Sequence, residues 1–520
     1  MSRSGWTRWR RTAKIAVPIA LVPALVVAAL LGPATAAPLA SPDADGAAGI
    51  GDPYFPLFGN GGYDVSHYDV DLKIDGTTPS GTVAGTTTIQ AVALQNLDSF
   101  HLDFKLGASA VKVDGVAAQF VNGADRELTI EPATRIDRDA EFTVEVSYSA
   151  APDSKFEGSF NPVYPGSGGL LIIGEPTSAP WWFPSNDHPQ DKALFDFHLS
   201  VPNGFEALTI GRHVSTHDGP MRDTWNWRVG EPAAPYLAFL ATGQYELIET
   251  AIEGIPVVTG IGDGSGLAGE TAAADFARLD EVIEFLTGQF GRYRFSDMGN
   301  VVVATSLGFA LETQTRPAYS PLFWQGQDEN ISVVVHEQAH QWWGDSVSVQ
   351  NWRDIWLNEG FATWSQWRWE EYQDGTSAQE MLAATYNQYP AGHSYWTLKI
   401  GDPGSGSLFA GQVYSRGAMT VQALRNRIGN ADLLTVFKQW NKKNAYGNGS
   451  IKKFRRLAEQ VSGEDLTGFF QHWLYDPVKP AATAENGLAD IGSVMPADIP
   501  GWAALTAKID QVAEFEGGLR

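Results

Sequence analysis

The sequence predicts an α+β multidomain protein: an N-terminal antiparallel all-β domain over residues 53–248, then a mixed helix-and-sheet domain over 249–480. Three observations carry that reading. Apolar residues alternate in Tyr68-Val70-Leu72-Ile74, Phe100-Leu102-Phe104-Leu106, Phe142-Val144-Val146-Tyr148, Phe195-Phe197-Leu199-Val201 and Trp225-Trp227-Val229. Period two, with Gly, Asp and Pro between the segments, marks half-buried strands. From Glu270 the period lengthens, and Phe276, Leu279, Ile283, Leu286 and Phe290 form a helical stripe that Gly291 ends. At 520 residues the chain exceeds one average domain, and an apolar content of 43% is enough for large cores.

The ends of the chain read differently. Arg3, Arg8, Arg10, Arg11 and Lys14 precede the apolar stretch Ile15–Leu31, and Ala34-Thr35-Ala36 follows as a small-residue cleavage site. Residues 1–36 are therefore expected to be a signal peptide, and the mature protein to be secreted. Its removal takes away five positive and no negative charges, moving the formal charge from −24 to −29. Such an acidic chain is a poor partner for nucleic acid or an anionic membrane, and no stable membrane association is expected after cleavage. Residues 37–52, rich in Pro, Ala, Gly and Asp, read as a linker. Residues 481–520 read as a thin C-terminal tail with one amphipathic helix from Trp502 to Phe515. Cysteine is absent, so neither a disulfide nor a thiolate metal site exists.

In the mixed domain Val301-Val302-Val303 reads as a short buried strand, and helices are expected near Asp432, Ile451 and Asp465. Between them lies the most informative stretch, Val333–Thr363. It holds His336, Glu337 and His340 as H-E-x-x-H, with Glu359 nineteen residues beyond His340. Residues four apart on a helix stack about 5–6 Å apart, so both imidazoles reach one ion at about 2.0–2.1 Å. Two His and one Glu as ligands, with a fourth position open, is the donor set of a catalytic zinc, one per chain. Glu337 sits beside it as general base. The bland alternative is a pair of histidines lining a buried helix; Glu359 and its Asn-Glu-Gly-Phe-Ala setting favour the metal.

H-E-x-x-H, eighteen intervening residues and N-E-G-F-A together resemble the aminopeptidase N family of zinc metallopeptidases, the gluzincins that also include leukotriene hydrolase. The resemblance covers roughly residues 60–480 and implies a thermolysin-like catalytic domain behind the β domain. In the family a β-sandwich and a large helical domain follow the stretch that here reads Trp473-Leu-Tyr-Asp-Pro-Val-Lys-Pro480, so a short two-domain form is expected. Ala310 and Glu312 match the family's Gly-x-Met-Glu-Asn motif, whose strand edge aligns the peptide and whose Glu binds the substrate's α-ammonium. Phe309, Leu311 and Thr313 stand where the family has Gly, Met and Asn. Glu175, in a Glu-Pro segment before Phe183-Pro-Ser-Asn-Asp-His-Pro189, matches the family's second amine-binding carboxylate. Tyr414, 55 residues after Glu359, matches the tyrosine whose hydroxyl stabilises the developing oxyanion.

The resulting expectation is an exported zinc aminopeptidase acting on peptides with a free N-terminus. One rival is a thermolysin-type endopeptidase, which needs no amine anchors. The other is a non-enzymatic binding protein on the same fold, which has no need of a base beside an open metal position. His213 and His217, four apart in a Gly/Pro/Asp-rich stretch, are read as surface turn residues. Trp181-Trp182-Phe183 and Trp342-Trp343 are read as core before pocket.

Overall fold

The computed structural model describes residues 45–516 apart from 76–80, 153–154, 156–160, 166–168 and 327–328. The expected signal peptide and residues 37–44 of the expected linker lie outside the described residues. Residues 45–52 are built into the fold. Asp45 bridges to Ser99, and the buried Asp52 accepts hydrogen bonds from the backbone N–H groups of Tyr54, Phe55 and Trp352.

The N-terminal domain is organised on an eight-stranded sheet. Its order is Arg212–Asp218, Arg222–Ala233, Ala193–Pro202, Tyr63–Asp75, Thr82–Ala93, Glu141–Ala150, Ala108–Val113 and Val116–Ala117. Pairing is antiparallel except between Tyr63–Asp75 and Ala193–Pro202, which run parallel. The alternating apolar residues point inward: Tyr68, Val70, Leu72, Phe195, Phe197 and Leu199 are all fully buried. His213 and His217 belong to a strand, not a turn; their Gly/Pro neighbours form the hairpin beyond it. Trp181, Trp182 and Phe183 are core.

The strand Tyr245–Ile252 hydrogen-bonds into the next sheet, so the architecture changes just before residue 245. That sheet has five strands, in the order Tyr245–Ile252, Ile255–Gly262, Met298–Val302, Ala318–Tyr319 and Ala310–Leu311. Its residues alternate between two cores. Val257, Val302, Ala310 and Tyr319 face the helices, whereas Val258, Val301, Leu311 and Ala318 join the core of the β domain. One sheet thus serves both domains, and the described residues form one compact unit.

The helices are α1 (Gly266–Phe276), α2 (Leu279–Phe290), α3 (Ile331–His340), α4 (Trp356–Tyr372), α5 (Ala378–Gln388), α6 (Gly411–Ile428), α7 (Asn430–Lys443), α8 (Ile451–Ser462), α9 (Thr467–Phe470) and α10 (Trp502–Glu516). The long stripe expected from Glu270 is two helices, broken at Ala277-Arg278, where the cap residue Arg278 leaves helical geometry. The same apolar positions serve both pieces, so periodicity alone hides the break. The helix expected near Asp465 begins at Thr467 and passes into a wider turn over Gln471–Tyr475. Among the described residues no helix is long and apolar enough to cross a membrane.

A buried ion cluster holds the loop that carries Glu175. The Arg126 guanidinium lies 2.8 Å from Asp103 and 2.8 Å from Asp187, and donates to Thr177 Oγ1 at 2.8 Å. Burial pushes the Asp103 carboxyl up to about 7 even with Arg126 beside it. Arg126→Met strands two buried carboxylates and is expected to cost about 3–5 kcal/mol of stability. Urea denaturation checks this, and a loss below about 1 kcal/mol contradicts it.

Candidate active site

The site forms where α3 and α4 pack. The first of these opens on Ile331-Ser-Val-Val-Val335, buried from Ser332 onward. His336, Glu337 and His340 follow on its last turns, all buried. The other helix starts at Trp356 and places Glu359 in its first turn, facing both histidines. Glu359 Oε2 lies 3.5 Å from His336 Nε2 and 3.5 Å from His340 Nε2. The three ligand atoms all fall within 4.8 Å of one another.

The other ring nitrogens fix the tautomers. His340 Nδ1 donates to the Trp343 carbonyl at 2.8 Å, a partner that only accepts. His336 Nδ1 meets Gln366 Oε1 at 3.0 Å, while Gln366 Nε2 donates to Ser332 Oγ. Both Nε2 lone pairs are thereby aimed at Glu359, which is how metal-ligating histidines are held. His336 Nε2, Glu359 Oε2 and both oxygens of Glu337 are buried without a hydrogen-bond partner. Burial pushes the Glu337 carboxyl well above its usual range, and the Glu312 and Glu359 charges push the same way. A divalent cation relieves that pressure, and two imidazoles with one carboxylate suit zinc.

The remaining expected residues converge on the same place. Tyr414, on α6, is 2% exposed, with its ring centroid 6.1 Å from that of His336. The α4–α6 crossing brings it there. A Cβ on Gly417 would lie 2.8 Å from Gly360 Cα, so the two backbones touch beside Glu359. Ala310 opens the outermost strand of the five-stranded sheet and Glu312 follows it. Phe309 packs on Tyr164 in the β-domain core, and Leu311 lies in that core as well. Two of the three departures from the family motif therefore fall on the face turned away from the metal ligands. The third, Thr313, closes the turn by donating to the Arg316 carbonyl at 2.6 Å. Glu312 is buried with Oε1 unpartnered, and burial and the Glu359 charge push it up to about 7, against a downward pull from His340. Glu175 is buried in the loop held by Arg126. Burial, then the charges of Glu312 and Glu175, push the Tyr236 phenol well up. The Trp342-Trp343 pair is core, with Trp343 stacked on Phe361 at 3.9 Å.

Several positioning residues carried no signal in the sequence. Gln366 orients His336. Gln341 accepts from Thr315 N–H at 2.7 Å and donates to the Glu312 carbonyl at 3.3 Å, tying the edge strand to the metal-site turn. Lys192 reaches from the β domain to the carbonyls of Asp345 and Ser346, at 2.6 and 3.2 Å. Glutamine and lysine are common surface residues, and only the tertiary contact marks these three.

Fold and site together define a metallopeptidase architecture, a β domain joined to a mixed domain with the H-E-x-x-H and distal-Glu arrangement. The Peptidase family M1 domain matches residues 307–473 and the Peptidase M1 N-terminal domain matches residues 65–237. The chain belongs to peptidase family M1. Aminopeptidase N of Lactococcus lactis subsp. lactis (strain IL1403) is 25% identical, the match covering 86% of this chain and 59% of that protein. Aminopeptidase 2 of Candida albicans is 22% identical over 78% of this chain and 46% of its own length. The chain thus spans less than two thirds of these relatives. The M1 zinc metallopeptidase of Deinococcus radiodurans superposes with a TM-score of 0.72 at 22% identity, over 83% of this chain and 99% of that one. A two-domain M1 zinc metallopeptidase bound to L-tryptophan superposes with a TM-score of 0.69, over 86% of this chain and 98% of that one.

Gln366→Ala removes the acceptor that orients His336. Zinc affinity is expected to fall about 10–100-fold with the fold intact. Competition with a chelator of known affinity measures it, and an unchanged affinity contradicts the role.

Proposed function

We propose that this protein is an exported zinc aminopeptidase that removes the first residue of peptides with a free N-terminus. The observation that carries the reading is the cluster of His336, His340 and Glu359 together with two further buried carboxyls, Glu337 and Glu312, whose charges act on one another. The lactococcal and yeast relatives named as aminopeptidases support it.

A zinc ion held by His336, His340 and Glu359 would polarise the scissile carbonyl and acidify a water molecule. Glu337 takes the proton of that water and returns it to the departing amine, a task suited to a carboxyl whose burial raises its basicity. The Tyr414 hydroxyl donates to the oxygen on which negative charge develops. Glu312 and Glu175 accept hydrogen bonds from the substrate ammonium. The outermost strand, Ala310–Leu311, pairs on one side only among the described residues, and an extended peptide could lie along its other edge. With the amine fixed, the first peptide bond is the one presented.

A thermolysin-type endopeptidase has no use for two buried carboxyls at an amine pocket, and a binding protein has none for Glu337. Export rests on the basic and apolar pattern of residues 1–36. Mass spectrometry of secreted material, with a mature N-terminus at Ala37, supports export; an intact N-terminus in cells contradicts it.

Glu337→Gln is expected to retain one zinc per chain and lose at least ~10²-fold in turnover. Tyr414→Phe is expected to lose about 10²-fold in kcat. Near wild-type kcat with full zinc content removes the residue concerned from the mechanism.

Acetylating the substrate amine removes the charge that Glu312 and Glu175 receive. A loss of at least ~10²-fold in kcat/KM is expected, with a similar loss for Glu312→Ala on free-amine substrates. Equal cleavage of free and blocked aminoacyl amides, or efficient internal cleavage of a blocked peptide, makes the endopeptidase the better reading.

A further inference from the structure

The turn that carries Glu312 is clasped to the metal-binding helix by one side chain. Gln341 follows His340 directly at the end of α3 and is buried. Its amide spans the turn. Oε1 accepts from the Thr315 N–H at 2.7 Å, and Nε2 donates to the Glu312 carbonyl at 3.3 Å. The Gln341 main chain is itself fixed, its carbonyl accepting from the Ser346 N–H at 3.3 Å. The path from the second histidine ligand to the Glu312 main chain is therefore one peptide unit and one glutamine side chain.

The turn does not hold this shape unaided. Thr315 has φ +66°, in the left-handed region that a β-branched residue enters only when its surroundings impose it. Three groups impose it. The Arg316 N–H closes the turn on the Thr313 carbonyl at 3.0 Å. From the β domain, the Gly211 N–H donates to Thr315 Oγ1 at 3.0 Å. From α3 comes the Gln341 clasp. Glu312 Oε1 is buried without a hydrogen-bond partner, so the backbone beneath the carboxylate sets where it stands.

A second buried glutamine on the same helix does a different job. The Gln338 amide donates to the Gly299 carbonyl at 3.1 Å and to Asn300 Oδ1 at 3.0 Å, both on the strand Met298–Val302. It ties α3 to the middle of the shared sheet, whereas Gln341 ties it to the turn bearing Glu312.

We propose that Gln341 is a positioning residue that sets how strongly the site prefers a free N-terminus, by fixing the Glu312 carboxylate relative to the metal ligands. The proposal rests on the aminopeptidase reading, in which Glu312 receives the substrate ammonium. Gln341 acts through the turn. Without its amide, Thr315 relaxes out of the left-handed region, and the carboxylate shifts with the main chain that carries it. A charged hydrogen bond weakens steeply with distance and angle. The loss therefore falls on substrates that bring a charged amine and spares those that do not.

The test uses the full-length zinc-loaded protein with leucyl and acetyl-leucyl p-nitroanilide. Gln341→Met keeps the length of the side chain and removes both hydrogen bonds. Expected is a roughly tenfold fall in the free-over-acetylated ratio of kcat/KM, carried by KM on the free amine. Chelator competition is expected to place zinc affinity within about twofold of wild type, because both histidines keep their own partners. Calorimetry in the Glu337→Gln background reads the same fall as a ratio of Kd for Leu-Ala-Ala and its acetylated form. Gln338→Met is expected to leave the ratio unaltered; an equal fall there assigns the effect to loosening of α3 and overturns the proposal. Should Gln341→Met not fold, Gln341→Asn, one methylene short of both partners, reads the same ratio. A folded Gln341 variant with the wild-type ratio, or with equal losses on both substrates that track zinc affinity, overturns the proposal, while discrimination by wild type keeps the aminopeptidase reading. A wild type that treats free and acetylated substrates alike overturns both.

Discussion

The site depends on a backbone contact between two glycines. Gly360 and Gly417 let α4 and α6 approach until no side chain fits between them, and a Cβ on Gly360 would fall 2.5 Å from Trp356 Nε1. Trp356 in turn donates to the Gly417 carbonyl at 3.3 Å. Glu359 precedes one of these glycines by one residue and Tyr414 precedes the other by three. The spacing between a metal ligand and the hydroxyl opposite it is therefore set by main chain, the least deformable part of a core. Arg416, on the same turn of α6, fixes that helix from outside by donating to the carbonyls of Trp396, Leu398, His472 and Asp476.

The second constraint is the shared sheet. Because strand residues alternate in direction, one strand can belong to two cores. Along Phe309–Glu312 this alternation separates two jobs. Phe309 and Leu311 anchor the edge strand in the β domain, while Ala310 and Glu312 turn towards the metal ligands. Arg316 reinforces the anchor from the turn that follows, donating to the carbonyls of Gly211 and Val258 at 2.9 and 3.2 Å. The β domain thus helps to build the site: it supplies Glu175 and Tyr236, and Lys192 holds the turn after His340.

Much of this was legible in the sequence, and the reasons are local. H-E-x-x-H needs only helical spacing, and strands such as Tyr63–Asp75, Glu141–Ala150 and Ala193–Pro202 show period two because each has one buried face. His336, His340 and Glu359 stand together in the structure, and the Tyr414 ring lies 6.1 Å from that of His336. What stayed hidden depends on long-range contact. The break at Ala277-Arg278 keeps the apolar stripe in phase, so nothing in the periodicity records it. His213 and His217 sit beside hairpin glycines and prolines that masked a strand exposed on an outer edge. Residues 45–52 have a linker's composition, yet Asp52 joins His188 at 3.2 Å and the Trp352 backbone, partners 136 and 300 residues away. Nor did any feature of Gln341, Gln366 or Lys192 separate them from surface residues.

The electrostatics of the pocket explain why a cation belongs there. Glu312, Glu337, Asp345 and Glu359 are all buried within one site, and both oxygens of Glu337 and of Asp345 lack hydrogen-bond partners. Burying one unpaired carboxylate already costs several kcal/mol, so four in one site without cations would oppose folding. The fold tolerates them because cations of different kinds meet each. Under the proposed function the metal would serve Glu359 and moderate Glu337 and a substrate ammonium would serve Glu312, while the Lys192 ammonium faces the Asp345 turn. That last cation is itself strained: burial pushes Lys192 down to about 7, and only the Asp345 charge acts to hold it up. Each charge in the site is thus placed where its partner will be, and a pocket so arranged binds metal and substrate without having to reorganise its own dipoles.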